Sequence, residues 1–169
     1  SAGSGVATAA ALCGATLGGD TGGSIRIPAA YCGIVGLRPT FGRVSRAGTM
    51  TACWSMDTIG PMTRSVEDAA LVLGAIAGPD PLDEWSVDVP VPDYADGLEA
   101  GVKGLRIGLI TELVDADLVD AEVADAVSES TRVLEGLGAS VDEVALPLVT
   151  HAGPIHWTLC YVEFGQINR

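Results

Sequence analysis

Gly18-Gly19-Asp20-Thr21-Gly22-Gly23-Ser24-Ile25-Arg26-Ile27-Pro28 holds four glycines in eleven residues, flanked by apolar runs. Such a run is too glycine-rich for the interior of a helix or strand, because each glycine gives up more chain entropy on ordering than any other residue. Consecutive glycines let several backbone N–H groups turn toward one point, forming a nest that binds an anion or the oxyanion of an attacked carbonyl. Ser24 ends the nest and sets its Oγ beside those donors, while Asp20 and Arg26 bracket the loop and can brace it. The residues alone also read as a tight turn before a strand, and both readings stand. The run lacks Gly-Lys-Ser/Thr, which excludes a phosphate-binding P-loop, and lacks the second glycine of the G-x-S-x-G elbow. His151 and His156, the only histidines, read as surface or core residues. If Ser24 is a nucleophile, its base is therefore not expected to be a histidine.

Working outward, residues 6–15 are small and apolar all round, which predicts a buried helix. Residues 25–28 are expected to be extended, because the residue before a proline avoids the α region. A short buried strand is predicted at 34–37 and irregular chain over 41–62, with Gly42, Gly48 and Gly60-Pro61 as turn signals. Ser65 then caps a helix whose first turn carries Glu67 and Asp68; Val66, Ala69, Ala70, Leu73 and Ala77 line one face, and Gly78-Pro79 ends it. Residues 79–103, rich in Pro and Asp, read as a long surface connection. A β-α-β unit is predicted from a strand at 105–110, a helix at 120–137 and a strand at 139–145. A last helix is expected from 154 toward 169.

The 169 residues suffice for one domain with a real core, and a mean hydropathy of +0.37 is that of a packed chain rather than a disordered one. No apolar run reaches the ~20 residues of a membrane span. The N-terminus lacks the basic stretch of a signal peptide, and without Met the chain is expected to begin inside a longer protein. Cys13, Cys32, Cys53 and Cys160 form no C-x-x-C pair, which suggests reduced thiols, a cytoplasmic location and no metal site. The net charge of −13 is uneven, with two acids against five arginines up to residue 64 and twenty acids against four basic residues beyond it. That acidity disfavours direct nucleic-acid binding.

Residues 19–40, Gly-Asp-Thr-Gly-Gly-Ser-Ile-Arg-Ile-Pro-Ala-Ala-Tyr-Cys-Gly-Ile-Val-Gly-Leu-Arg-Pro-Thr, resemble the core of the amidase signature family. Residues 42–46, 55–61 and 64–70 continue the pattern, and Lys103-Gly104-Leu105-Arg106-Ile107-Gly108 resembles the strand that opens the family's next segment. The resemblance implies an α/β fold, a mixed β-sheet covered by helices, of which residues 1–169 are a partial domain. It implies hydrolysis of a small-molecule carboxamide to a carboxylate and ammonia, with no cofactor. Ser24 would be the nucleophile, the backbone N–H groups of Thr21, Gly22, Gly23 and Ser24 the oxyanion hole, and Asp20 and Arg26 supports of the loop. A second serine would relay the proton to a lysine base, which burial keeps neutral. Aligned on Ser24, the relay serine falls just before Ser1 and the lysine further upstream. Lys103, the only lysine, lies in another segment and reads as a surface residue. The 169 residues alone are accordingly expected to be inactive.

Asp57 is expected to support the loop before Gly60-Pro61, and Arg26 and Arg43 to brace the site from below. Trp54 and Met50 either border the substrate or pack. Glu163 and Asn168 resemble a family helix and receive no role. Within the family, Trp-Ser-Met-Asp at 54–57 resembles stand-alone amidases, and residues 91–108 are compatible with the alternative, the A subunit of a glutamyl-tRNA(Gln) amidotransferase. A homodimer, or partner subunits under that alternative, are the assemblies left open. A non-catalytic scaffold of the same fold is a third reading.

Overall fold

The computed structural model describes residues 1–115 and 117–167, which form two compact units. Asn168 and the predicted end of the last helix lie outside the described residues. The first unit holds Ser1–Asp96 and the C-terminal stretch from Trp157; the second holds Gly97–His156.

In the first unit, α1 (Ala2–Ala9), β1 (Ala15–Asp20), α2 (Arg26–Cys32), β2 (Val35–Gly36), β3 (Thr58–Thr63) and α3 (Val66–Ile76) follow one another. The sheet runs β1-β3-β2, antiparallel throughout, with Gly18 opposite Gly60, Asp20 opposite Thr58 and Gly36 opposite Met62. Its core is Ile25, Ala29 and Met62, with Ile34 packed against them. Ile25 and Met62 are fully buried, which at this size contributes roughly 1.5–3 kcal/mol each.

Four sequence expectations are corrected here. Residues 6–15 are not one buried helix: α1 ends at Ala9, Val6 is 56% exposed, and Ala15 already opens β1. Because its residues are small, α1 meets the core only through Gly5 and Thr8, so apolarity all round did not mean burial all round. Gly18 and Gly19 lie inside a strand, since a Cβ on Gly18 would sit 2.9 Å from both Ile25 Cγ1 and Ser1 Oγ. That close packing offsets the entropy cost of glycine in a strand. Residues 26–28 are helical, because Pro28 falls in the first turn of α2, where no intrahelical N–H is needed. Finally, residues 58–62 belong to the central strand despite Gly60-Pro61.

The helix at Ser65 forms as expected: Ser65 Oγ accepts the Asp68 N–H at 3.1 Å, and Ala69, Ala70 and Leu73 are buried while Val66 is exposed. The connection after it is held by Arg43, whose guanidinium donates to Tyr94 Oη and to the Val89 and Pro90 carbonyls. Arg43 therefore braces this connection, not the Ser24 loop, a further correction.

The second unit contains the predicted β-α-β: β4 (Arg106–Ile110), α4 (Ala121–Gly136) and β5 (Ser140–Val144), with β4 and β5 parallel. Gly104 N–H donates to Gly138 O at 2.8 Å, and Lys103 is exposed, as its segment suggested. Helix α5 (Ala152–Ile167) closes the described chain. The class is α/β, with one sheet in each unit. Among the described residues no helix is long and apolar enough to cross a membrane.

Candidate active site

The loop that leaves β1 carries Ser24, and it is held from below by the side chain of Asp20. That carboxylate is fully buried. Its Oδ1 accepts the Gly23 N–H at 2.8 Å, and its Oδ2 accepts the Ile25 and Arg26 N–H groups at 3.1 and 3.4 Å. Arg26 clasps both oxygens in a fork, Nε to Oδ2 at 3.1 Å and Nη2 to Oδ1 at 3.0 Å. A second guanidinium, from Arg38, stands 3.3 Å from Oδ1 and donates through Nη2 to the Met56 carbonyl at 2.8 Å.

Burial alone would raise the Asp20 pKa, but the Arg26 hydrogen bonds and the Ile25 and Arg26 N–H groups outweigh it and hold the carboxyl below the ordinary range. The same pairing raises the Arg26 pKa. A buried carboxylate with this many donors stays ionised and fixes the backbone around it.

The glycines then do what the loop requires. Gly23 has φ +129°, and a Cβ there would lie 2.7 Å from Ile27 Cδ1, so a side chain is excluded on both counts. Ile25, buried, pins the loop one residue beyond Ser24, and Ser24 itself is exposed. Ser24 lines a cavity of about 360 Å³ with Ser1, Val6, Ile27, Pro28 and Tyr31 among its walls. Ser1 Oγ accepts the Gly19 N–H at 3.1 Å, so Ser1 packs on the strand that feeds the loop.

One donor of the expected oxyanion hole is not where the sequence put it. The Gly23 N–H is spent on Asp20, which leaves Thr21, Gly22 and Ser24 as the donors a reading of this loop can use. Asp57 does support the region, by accepting the Thr21 hydroxyl at 2.5 Å and the Ala52 and Cys53 N–H groups at 2.7 and 3.0 Å. Trp54 lines a separate hollow with Arg46 and Trp85, and Met50 is 94% exposed. His151, His156 and Lys103 belong to the second unit.

Two residues that sequence reasoning missed are Arg38 and Glu163. Glu163 is 6% exposed and accepts from Cys53 Sγ at 2.8 Å, Ser55 N at 3.1 Å and Ser55 Oγ at 2.6 Å. Burial would raise its pKa, but the Cys53 and Ser55 donors bring it below the usual value. Burial, then the Glu163 contact, pushes the Cys53 thiol up to about 11. A signal was present: one acid in the apolar run from Trp157 to Phe164 is buried only if hydrogen-bonded. Arg38 carries no comparable signal, since its partner Asp20 lies eighteen residues back across two turns.

The profile of the amidase family matches residues 1–169. The A subunit of the glutamyl-tRNA(Gln) amidotransferase of Rubrobacter xylanophilus is 52% identical over 166 residues, which cover 98% of this chain and 34% of that protein. Among solved structures, the A subunit of the same amidotransferase from Thermotoga maritima superposes with a TM-score of 0.93 at 36% identity, over 99% of this chain and 36% of that one. The native peptide amidase of Stenotrophomonas maltophilia superposes at 0.83 and 41% identity, over 96% of this chain and 34% of that one. The chain thus spans about a third of the length of the curated relatives it matches.

Proposed function

The chain belongs to the amidase family, and on that premise we propose that it carries the nucleophile of an enzyme that cleaves a carboxamide to a carboxylate and ammonia. The observation that carries the reading is Ser24 itself, exposed at a cavity on a loop whose backbone is gripped by the buried Asp20. Ser24 Oγ attacks the carbonyl carbon, and the oxyanion forms against the N–H groups of Thr21, Gly22 and Ser24. Because those groups are set before the substrate arrives, little reorganisation is needed as charge develops. Collapse of the tetrahedral intermediate expels ammonia and leaves an ester on Ser24, which water hydrolyses to the carboxylate. The proton leaves Ser24 through a relay serine to a neutral lysine, positions that the family pattern aligns ahead of Ser1. Asp20 and Arg26 hold the loop and do not touch the substrate. The 169 residues by themselves do not turn over an amide.

A second reading is favoured by the 52% identity to a relative named as part of an amidotransferase. In it the same Ser24 chemistry frees ammonia from glutamine for a partner protein. Ammonia release by the full-length protein, purified alone, on simple aliphatic and aromatic amides and on glutamine separates the two. Turnover of simple amides that disappears in Ser24→Ala supports the stand-alone amidase. Glutamine turnover that needs a partner supports the amidotransferase. Turnover that survives Ser24→Ala sinks both.

A further inference from the structure

The nucleophile loop is anchored at two ends, and only one anchor is Asp20. Thr21 opens the loop directly after β1, and Gly22 and Gly23 follow it, so the direction of the first N–H groups depends on how Thr21 is held. Its hydroxyl donates to Asp57 Oδ1, while Asp57 Oδ2 accepts the Ala52 and Cys53 N–H groups. The Met56 and Asp57 N–H groups return to the Cys53 carbonyl at 3.2 and 2.9 Å, closing a tight turn around the carboxylate. That turn is held from α5, where Glu163 takes the Cys53 thiol on one oxygen and the Ser55 hydroxyl on the other. Polar contacts therefore run unbroken from Glu163 through Cys53 to Asp57 and Thr21.

We propose that Asp57 is a positioning residue of the oxyanion hole, fixing Thr21 through its hydroxyl, and that Glu163 positions Asp57 in turn through Cys53 and Ser55. The inference rests on the carboxamide-cleaving reading of Ser24. Neither acid touches the substrate. Each acts by removing freedom from a loop whose two glycines otherwise let it swing, and misaimed donors lose most of their worth at the transition state.

The test uses the full-length protein and its best amide substrate, with Ser24→Ala as the control. Asp57→Ala is expected to lower kcat about tenfold or more and to leave KM within about twofold, because the hole acts on the transition state rather than on the bound amide. Thr21→Val, which removes only the hydroxyl, is expected to lower kcat comparably. The double variant should lose no more than the worse single, since both remove one contact. Glu163→Gln is expected to lower kcat by about threefold at unchanged KM. Should Asp57→Ala not fold, Asp57→Asn serves. Its amide oxygen still accepts Ala52 and Cys53, while its NH2 faces Thr21, so an intermediate loss of kcat is expected. Losses that add in the double variant overturn the proposal, as does a lower melting temperature with kcat intact. If Ser24→Ala is inactive and the Asp57 variants keep wild-type kcat, positioning fails and the carboxamide reading stands. If Ser24→Ala retains turnover, that reading fails and takes this inference with it.

Discussion

Asp20 Oδ1 accepts the Gly23 N–H at 2.8 Å, so the last residue of β1 grips the loop one position before Ser24. A carboxylate in that place shapes the loop by taking the Gly23, Ile25 and Arg26 N–H donors. Under the proposed reading, the neighbouring N–H groups divide their labour, some spent on structure and the rest kept for an oxyanion.

Replacing Asp20 by Asn tests that grip. The amide keeps the shape, but its NH2 must face an Arg26 or backbone donor, leaving buried polar hydrogens unpaired. A loss of roughly 2–4 kcal/mol is expected, read from the urea midpoint. A midpoint unchanged from wild type would show that the loop holds its shape without the carboxylate.

Acid should release the same grip. Asp20 and Glu163 both titrate below their ordinary values in the folded chain. Their stabilisation is therefore complete above the unfolded carboxylate pKa, near ~4, and is lost as pH falls through the folded values. The melting temperature should drop below about pH 4, and the gap between wild type and Asp20→Asn should narrow there. Curves that stay parallel from pH 7 to pH 3 would contradict this.

Cys53 should resist alkylation. With its thiol pushed up to about 11 and its side chain fully buried, about one molecule in a thousand carries the thiolate at pH 8. Mass spectrometry after iodoacetamide is expected to find Cys53 unmodified in the folded protein and modified in urea. Equal rates in the two states would mean the Glu163 pocket is open.

Two glycine-to-alanine changes should differ sharply. A Cβ at Gly60 would lie 2.1 Å from the Leu37 carbonyl oxygen and 2.7 Å from Pro39 Cδ, so backbone must move. Gly60→Ala is expected to cost about 3 kcal/mol or more. In α3, a Cβ at Gly74 meets nothing within 4 Å, and Gly74→Ala is expected to gain up to about 1 kcal/mol. Thermal melts of the two variants check both, and similar melting temperatures would remove the steric argument.

How much of this was legible in the sequence depended on range. The Ser65 cap and the β-α-β unit were readable because periodicity and capping are local, and each element forms near where its pattern predicts. β1 was not readable, because Gly18-Gly19 looks like a loop until Ile25 and Ser1 are seen packed against it. The start of α2 was hidden by Pro28, whose position in a first turn becomes evident only once Ser24 and Ile25 are placed ahead of it. Ser24 itself, with Asp20 and Arg26, was singled out from residue chemistry and family resemblance. The N–H that Asp20 takes from Gly23 was not, since nothing in residue order says which donors a carboxylate chooses. Glu163 was furthest from reach: its partners lie 108 and 110 residues away, and only folding joins them.

The slot at Gly60 also limits how β3 can pair. Sliding the strand by one residue would drive Ile59 or Pro61 into a space that lacks room for a single methyl group. It would also turn Met62, fully buried, to the opposite face of the sheet. The observed alignment, in which β1 ends with Asp20 beside Thr58, keeps Gly60 against Leu37 and Pro39 and Met62 in the core. A one-residue slip would carry the start of the Ser24 loop along by about 3.4 Å and swing the Asp20 carboxylate out from beneath it. The chain thus contains a steric ruler: a glycine thirty-six residues beyond Ser24, bearing no chemistry, fixes how β3 lies against Leu37 and Pro39.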